Sequence, residues 1–234
     1  MRRLVPAILM ATASLLACLA TSTAQPAAEP KTLMTERGKL LVTADFNQPP
    51  GKDWMQKKGT WQVVSGALRA AELKSDQHAA VMRHPLPAQN FVIQYAFKLD
   101  GVRVTTLSIN APKGHICRVL LRPTGFVVQK DKDKKKPDSK AVVLDTCDTP
   151  IQPGTWHTLL VEIQGKEIVA SLDGKHVAFG AHDGIDVKRA NFGLTVGGES
   201  VSFKDLRVWE ALPHKNWEAT RARLLAARAK AKTP

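Results

Sequence analysis

A chain of 234 residues, 44% of them hydrophobic, has room for one domain of about 150–200 residues with a substantial core, plus appendages. Three cysteines are too few for a convincing thiolate metal site. The formal charge of +13 points to an acidic partner until it is mapped: Lys130–Lys140 holds six lysines against three aspartates, and His214–Pro234 holds six Lys/Arg against Glu218. The sandwich between them is nearly neutral, which assigns the basicity to a loop and a tail rather than to a binding cleft.

Arg2-Arg3, an apolar run from Leu4 to Ala20, and Ser22 and Ala24 before Gln25 have the layout of a secretory signal peptide over residues 1–24. The run is too short for a permanent membrane span. Leu15-Leu16-Ala17-Cys18 has the outline of a bacterial lipobox, and a lipid on Cys18 is the one membrane attachment the sequence offers. Export, to periplasm or exterior, makes Cys117 and Cys147 an even pair in an oxidising compartment. A disulfide between them stabilises by about 3 kcal/mol if unstrained; the alternative is two buried thiols on neighbouring strands.

Residues 25–38 read as a linker. Strands are then predicted in order: a first at Lys39 that breaks at Pro49-Pro50-Gly51, and a hairpin from Gly59 to Ala70 turning at Ser65-Gly66. Asn90–Leu99 sets Phe91, Ile93, Tyr95, Phe97 and Leu99 on one face. Val102–Ile109 and His115–Arg122 follow, the latter alternating Cys117, Val119 and Leu121 with Arg118, Leu120 and Arg122. Gly125–Gln129 leads into the lysine loop, read as a solvated hairpin tip, and Ala141–Leu144 returns. Trp156–Phe179 is a three-stranded meander with turns at Gly165-Lys166 and Asp173-Gly174. Phe192–Val196, a Gly197-Gly198 turn and Val201–Trp209 complete about twelve strands. Residues 211–234 form a basic helical tail whose Trp217 docks on the sandwich. Its apolar face is too weak for a membrane or nucleic-acid helix, so no specific nucleic acid is expected as a partner.

Three motifs occur in order: Gly59-x-Trp61-x-Val63 with Ser65-Gly66-x-Leu68; Trp156-His157-x-Leu159-x-Val161-Glu162 with Leu172-Asp173-Gly174; and Phe203-x-Asp205-Leu206-x-Val208. Together they resemble the concanavalin A-like lectin/glucanase jelly roll, and within it the secreted bacterial 3-keto-disaccharide hydrolase domains, similar also to laminin-G and family 16 glycosidase modules. The resemblance spans residues 39–210. It implies an all-β sandwich of two antiparallel sheets, here with a short C-terminal helix, and a concave sheet that collects carbohydrate. These motifs build sheets and carry no chemistry. The Glu-x-Asp-x-(x)-Glu strand of family 16 is absent, as are Gly-x-Ser-x-Gly, His-Glu-x-x-His and a phosphate loop. Asp145 and Asp148 read as turn-forming carboxylates at a loop exit.

Carbohydrate recognition combines aromatic faces with Arg, His, Asn and Asp hydrogen bonds. Arg118 and Arg122 project from one sheet face, His115 stands at that strand's mouth, and Trp54 sits in a Pro/Gly-flanked loop as a stacking platform or a buried anchor. His157 and His182 read as structural. The resemblance also places Asp45 and Asp205 where some jelly rolls hold a structural calcium; no cofactor is otherwise required. The leading expectation is an exported carbohydrate-binding protein. The alternative is a glycoside hydrolase or 3-keto-glycoside-cleaving enzyme on the same face, and a third class is an envelope protein binding an anionic polymer through its basic loop and tail.

Overall fold

The alternation that begins at Phe91 is realised in a strand twice the expected length. In the computed structural model, which describes residues 29–86, 88–133 and 135–231, β6 runs Phe91–Ala111 and its partner β13 runs Asn191–Pro213. They pair antiparallel along nearly their whole length. The Gly197-Gly198 turn expected from sequence is a bend within β13. Gly198 (φ +120°) faces the Asp100–Val102 stretch of β6, where Gly101 also has positive φ (+73°). Register shifts at this point mark a pair of bulges that only glycine accommodates, and both strands turn together there from one sheet into the other.

The first sheet has the order β12-β11-β10-β6-β13, with β1 and β4-β3 side by side on the far edge of β13. Here β10 is Trp156–Gln164, β11 Glu167–Leu172 and β12 His176–Ala181. The edge strands are β1, Thr35–Ala44, β3, Thr60–Val64, and β4, Ala67–Ala71. Asp173-Gly174 and Ser65-Gly66 turn the hairpins as expected, all four residues at positive φ. The second sheet runs β2-β5-β13-β6-β7-β8-β9. Its other members are β2, Met55–Lys58, β5, Ala80–Pro85, β7, Gly114–Arg122, β8, Gly125–Lys130, and β9, Val142–Asp148.

Side chains from both sheets share one core, Phe97, Leu159 and Phe203 with Leu107, Val119 and Phe126 among them. Burying each such side chain contributes about 1.5–3 kcal/mol. The sides close where β12 meets β9: a Cβ on Gly180 would lie 2.6 Å from Leu144 Cβ, so the glycine lets the strands approach. The molecule is a jelly-roll sandwich of two antiparallel sheets.

Several boundaries move. The sandwich starts at Thr35 and ends at Pro213, opposite each other in β1 and β13, so residues 35–38 are strand and not linker. Residues 33–35 are pinned by Glu162: its fully buried carboxylate accepts the backbone N–H groups of Leu33, Met34 and Thr35 at 2.7–2.9 Å and the Thr35 hydroxyl at 2.9 Å. The helix α1, Trp217–Ala231, lays Trp217 on Met34, Val169 and Phe179. The signal peptide and Cys18 expectations lie outside the described residues.

The disulfide does not form. Cys117 and Cys147 are both free thiols, because β8 runs between their strands. Cys117 stands opposite Lys130 and Cys147 opposite Phe126 of β8, two strand spacings (about 9.6 Å) apart and four residues out of step. That exceeds the Cα separation of about 7 Å that a disulfide can span.

Candidate ligand-binding face

The outward positions of the second sheet form rows that register fixes. One row runs Arg83, Gly193, Ser108, Arg118, Gln129 across β5, β13, β6, β7 and β8. Arg83 and Arg118 are three strand spacings, about 14 Å, apart, with only a glycine and a serine between them. The next row toward the β6–β7 turn holds Asn191, Asn110 and His115. Although these positions point away from the core, Asn110 is 2% exposed and Ser108 5%. Longer neighbours shelter them: a Cβ on Gly193 would lie 2.9 Å from Ser108 Oγ and 3.4 Å from Arg83 Cγ, and Asn191 and His115 bond to Asn110. The short polar side chains floor a furrow whose walls are the longer arginines and Gln129.

Hydrogen bonds fix the floor. Asn110 Nδ2 donates to Asn191 Oδ1 at 2.8 Å, which leaves Asn110 Oδ1 to accept from His115 Nδ1 at 2.5 Å. The imidazole is thereby held in one orientation with its proton on Nδ1. Arg118 Nε donates to Asp131 Oδ2 at 2.8 Å, and Gln129 Nε2 holds the other carboxylate oxygen at 3.2 Å. Asp131 is buried and its N–H is tied to the Ile116 carbonyl at 2.8 Å. A planar, charged donor is thus pre-positioned, and among the described residues nothing engages its two terminal nitrogens.

Beyond His115 the furrow meets a cleft of about 500 Å³ between the β6–β7 turn, the start of the lysine loop and residues 184–188. The loop read as a solvated tip is folded: Asp133 N–H donates to Ser139 Oγ at 2.7 Å, and Asp133 Oδ1 accepts from Lys135 N–H at 3.0 Å. Its lysines wall this cleft and a second one on the far side. The basic loop expected from the charge map also forms a wall of these clefts.

Of the residues singled out from sequence, His115 and Arg118 come together with the furrow. Arg122 shares their face but lies about 13 Å along β7 from Arg118, exposed opposite Gly125 at the hairpin end. Trp54 is on the inner side, packed at 4.9–5.7 Å on Phe46, His84 and Phe192, and acts as the loop anchor. Asp45 and Asp205 do lie next to each other, just past the Ala44–Leu206 pair. Asp45 Oδ1 accepts from Asn47 N–H at 3.0 Å, and among the described residues no third His, Cys, Asp or Glu completes a metal cluster. Asp145 and Asp148 are strand residues of β9, and Asp145 pairs with Arg228 of α1. His157 binds Asp173 at 2.7 Å and His182 caps Gly184 N–H, both structural. Asn110, Asn191, Ser108, Asp131 and Gln129 escaped sequence reasoning. Their one signal was the alternation Thr106, Ser108, Asn110 against Leu107 and Ile109.

No family model and no curated protein matches the sequence. Among solved structures, the carbohydrate-binding module CBM66 from Bacillus subtilis superposes with a TM-score of 0.53 at 15% identity, covering 68% of this chain and 96% of its own. SCLam, a non-specific endo-β-1,3(4)-glucanase from family GH16, gives 0.54 at 13% identity, covering 76% of this chain and 95% of its own. The Bacillus licheniformis β-glucanase gives 0.54 at 10%, covering 75% and 99%. At such identities the likeness defines the fold.

Proposed function

We propose that this protein is an exported carbohydrate-binding jelly roll that holds a saccharide in the furrow of its second sheet. One observation carries the reading. Within that sheet the segments 55–58, 80–85, 191–197, 102–111, 114–122 and 125–130 contain no Asp or Glu, and around the furrow they offer Asn, Ser, Thr, Arg and Gln outward, with Leu120 and Val127 beside them. Neutral and cationic hydrogen-bonding groups suit sugar hydroxyls. Hydrolysis by the usual route needs two carboxylates about 5–9.5 Å apart, and the Asp131 carboxylate beside the furrow is committed to Arg118 and Gln129. The fold likeness to a carbohydrate-binding module and to glucanases adds support. Export is supported by the expected leader over residues 1–24, with Cys18 as the candidate lipid anchor.

A second reading rests on His115. An imidazole held by Asn110 in one tautomer is suited to proton transfer, and cleavage of a 3-keto-glycoside by proton abstraction needs no carboxylate pair.

A glycan array separates the two. The mature protein is expected to retain a defined set of glycans, and Arg118→Ala or Asn110→Ala to weaken retention at least tenfold. Uniform absence of binding by the wild type sinks the first reading. Release of sugar from 3-keto-glucosides, abolished by His115→Ala, replaces it with the second.

A further inference from the structure

We infer that the lysine-walled cleft adjoining the furrow receives an anionic substituent, so that the ligand is an acidic polysaccharide; this rests on the carbohydrate reading above. The cleft is lined by Lys113, Lys130, Lys135 and Lys188 against one carboxylate, Asp133. Asp133 already accepts a backbone N–H of its own loop. Several cations elsewhere on the surface are paired, among them Arg103 with Glu72, Arg207 with Glu29, Arg221 with Glu167, Arg228 with Asp145 and Lys166 with Asp183; the cleft differs in gathering four lysines around one concavity. Among the described residues none of the four cleft lysines has an acidic partner within ion-pair distance, and the nearby Asp183 is paired with Lys166.

Lys130 is the most telling. It is 8% exposed and lines the clefts on both sides of the loop. Its stem passes so close to Gly184 that a Cβ there would lie 2.7 Å from Lys130 Cε. The buried stem directs the ammonium into the clefts, where an anion arriving from solvent gains a charge-assisted contact. Four lysines against the single Asp133 carboxylate leave a net positive charge around a concave site, which focuses the field on an incoming anion.

Continuity points to a saccharide rather than to a free anion or a nucleic acid. His115 lines the cleft and is bonded to Asn110 on the furrow floor. One chain therefore reaches from hydroxyl-binding groups to the lysines. The bases of a single-stranded nucleic acid would need aromatic stacking platforms. The outward rows of the second sheet hold none, and Trp54 is on the inner side.

The test is calorimetric titration of the full mature chain with an oligogalacturonate (carboxylate), a heparin oligosaccharide (sulfate) and neutral laminarin oligosaccharides, with poly(U) as a control. The variant Lys113→Glu/Lys188→Glu changes two exposed side chains, and Lys130→Met keeps the buried stem. The inference predicts that one of the two acidic sugars binds at least tenfold more tightly than the neutral one. Each variant removes that advantage and flattens its salt dependence, while neutral binding changes less than twofold. The arm that binds identifies carboxylate or sulfate. Equal binding of acidic and neutral sugars, unmoved by the variants, overturns the inference and leaves carbohydrate binding standing. Binding that follows charge density alone, poly(U) included, and ignores Arg118→Ala overturns it as well. If no saccharide binds, the underlying reading fails too.

Discussion

The two outward faces of the sandwich are built from the same strand pair, yet they have opposite fates. Over the first sheet, Val169, Phe179, Val92, Leu160 and Trp209 point outward, and much of that apolar surface is covered by residues 29–34 and α1. Over the second, the same strands present Ser108, Asn110 and Asn191, whose hydrogen bonds are made within the sheet. An outward apolar face must find a cover, whereas an outward polar furrow with its hydrogen bonds already made can stay open. The charges follow the same division. The cations of α1 that reach the sandwich are spent on Glu167 and Asp145, and those of the lysine loop are left facing a cleft.

The division breaks most severely at Glu162. Glu162→Ala orphans three backbone N–H groups, those of Met34 and Thr35 buried and that of Leu33 part-buried, and is expected to cost about 4 kcal/mol, lowering Tm by about 10 °C. The furrow is on the other sheet, so saccharide affinity measured below the new Tm stays within twofold. Trp217→Ala removes the helix's main anchor and the Nε1 bond to Glu167 Oε2 (3.0 Å). It is expected to cost about 3 kcal/mol in urea unfolding and to raise binding of an apolar dye as Val169 and Phe179 are uncovered. A smaller effect comes from the core between the faces. Burial pushes the Cys117 thiol from 9.0 up to about 12, with Asp131 adding to the rise and Arg189 opposing it. The folded state keeps a proton that the unfolded chain releases, so this contribution is complete below pH 9 and disappears as pH rises toward 12. The urea midpoint of the wild type should fall more steeply between pH 9 and 10.5 than that of Cys117→Ala, and parallel profiles would refute the burial.

Legibility in the sequence divides along the same line. The Trp156–Phe179 meander could be read with both its turns, its last strand running on to Ala181, because Asp173-Gly174 and the alternating apolar positions are local signals, and Trp217 docking followed from one aromatic in a polar tail. The furrow could not, since Asn110 meets Asn191 only through the β6–β13 pairing of residues 81 positions apart. The disulfide failed for a related reason: two cysteines on alternating inward positions look adjacent until β8 is seen between them. Gly197-Gly198 looked like a turn because positive φ serves a reversal and a bulge equally. Strands β2 and β5 left little pattern; Met55–Lys58 is a polar, exposed edge strand whose lysines suit an edge, and β5 ends on Arg83, His84 and Pro85. The cleft was hidden because charge counting locates lysines along the chain and not against the surfaces they fold onto.

Hydrogen–deuterium exchange of the mature protein, with and without a saturating oligosaccharide taken from the array, asks most directly which face is used. Protection confined to residues 105–118, 129–135 and 184–196, with residues 160–180 and α1 unchanged, is the predicted result. Protection centred on β10–β12 and α1, with the furrow strands unaltered, would contradict the assignment of binding to the open face.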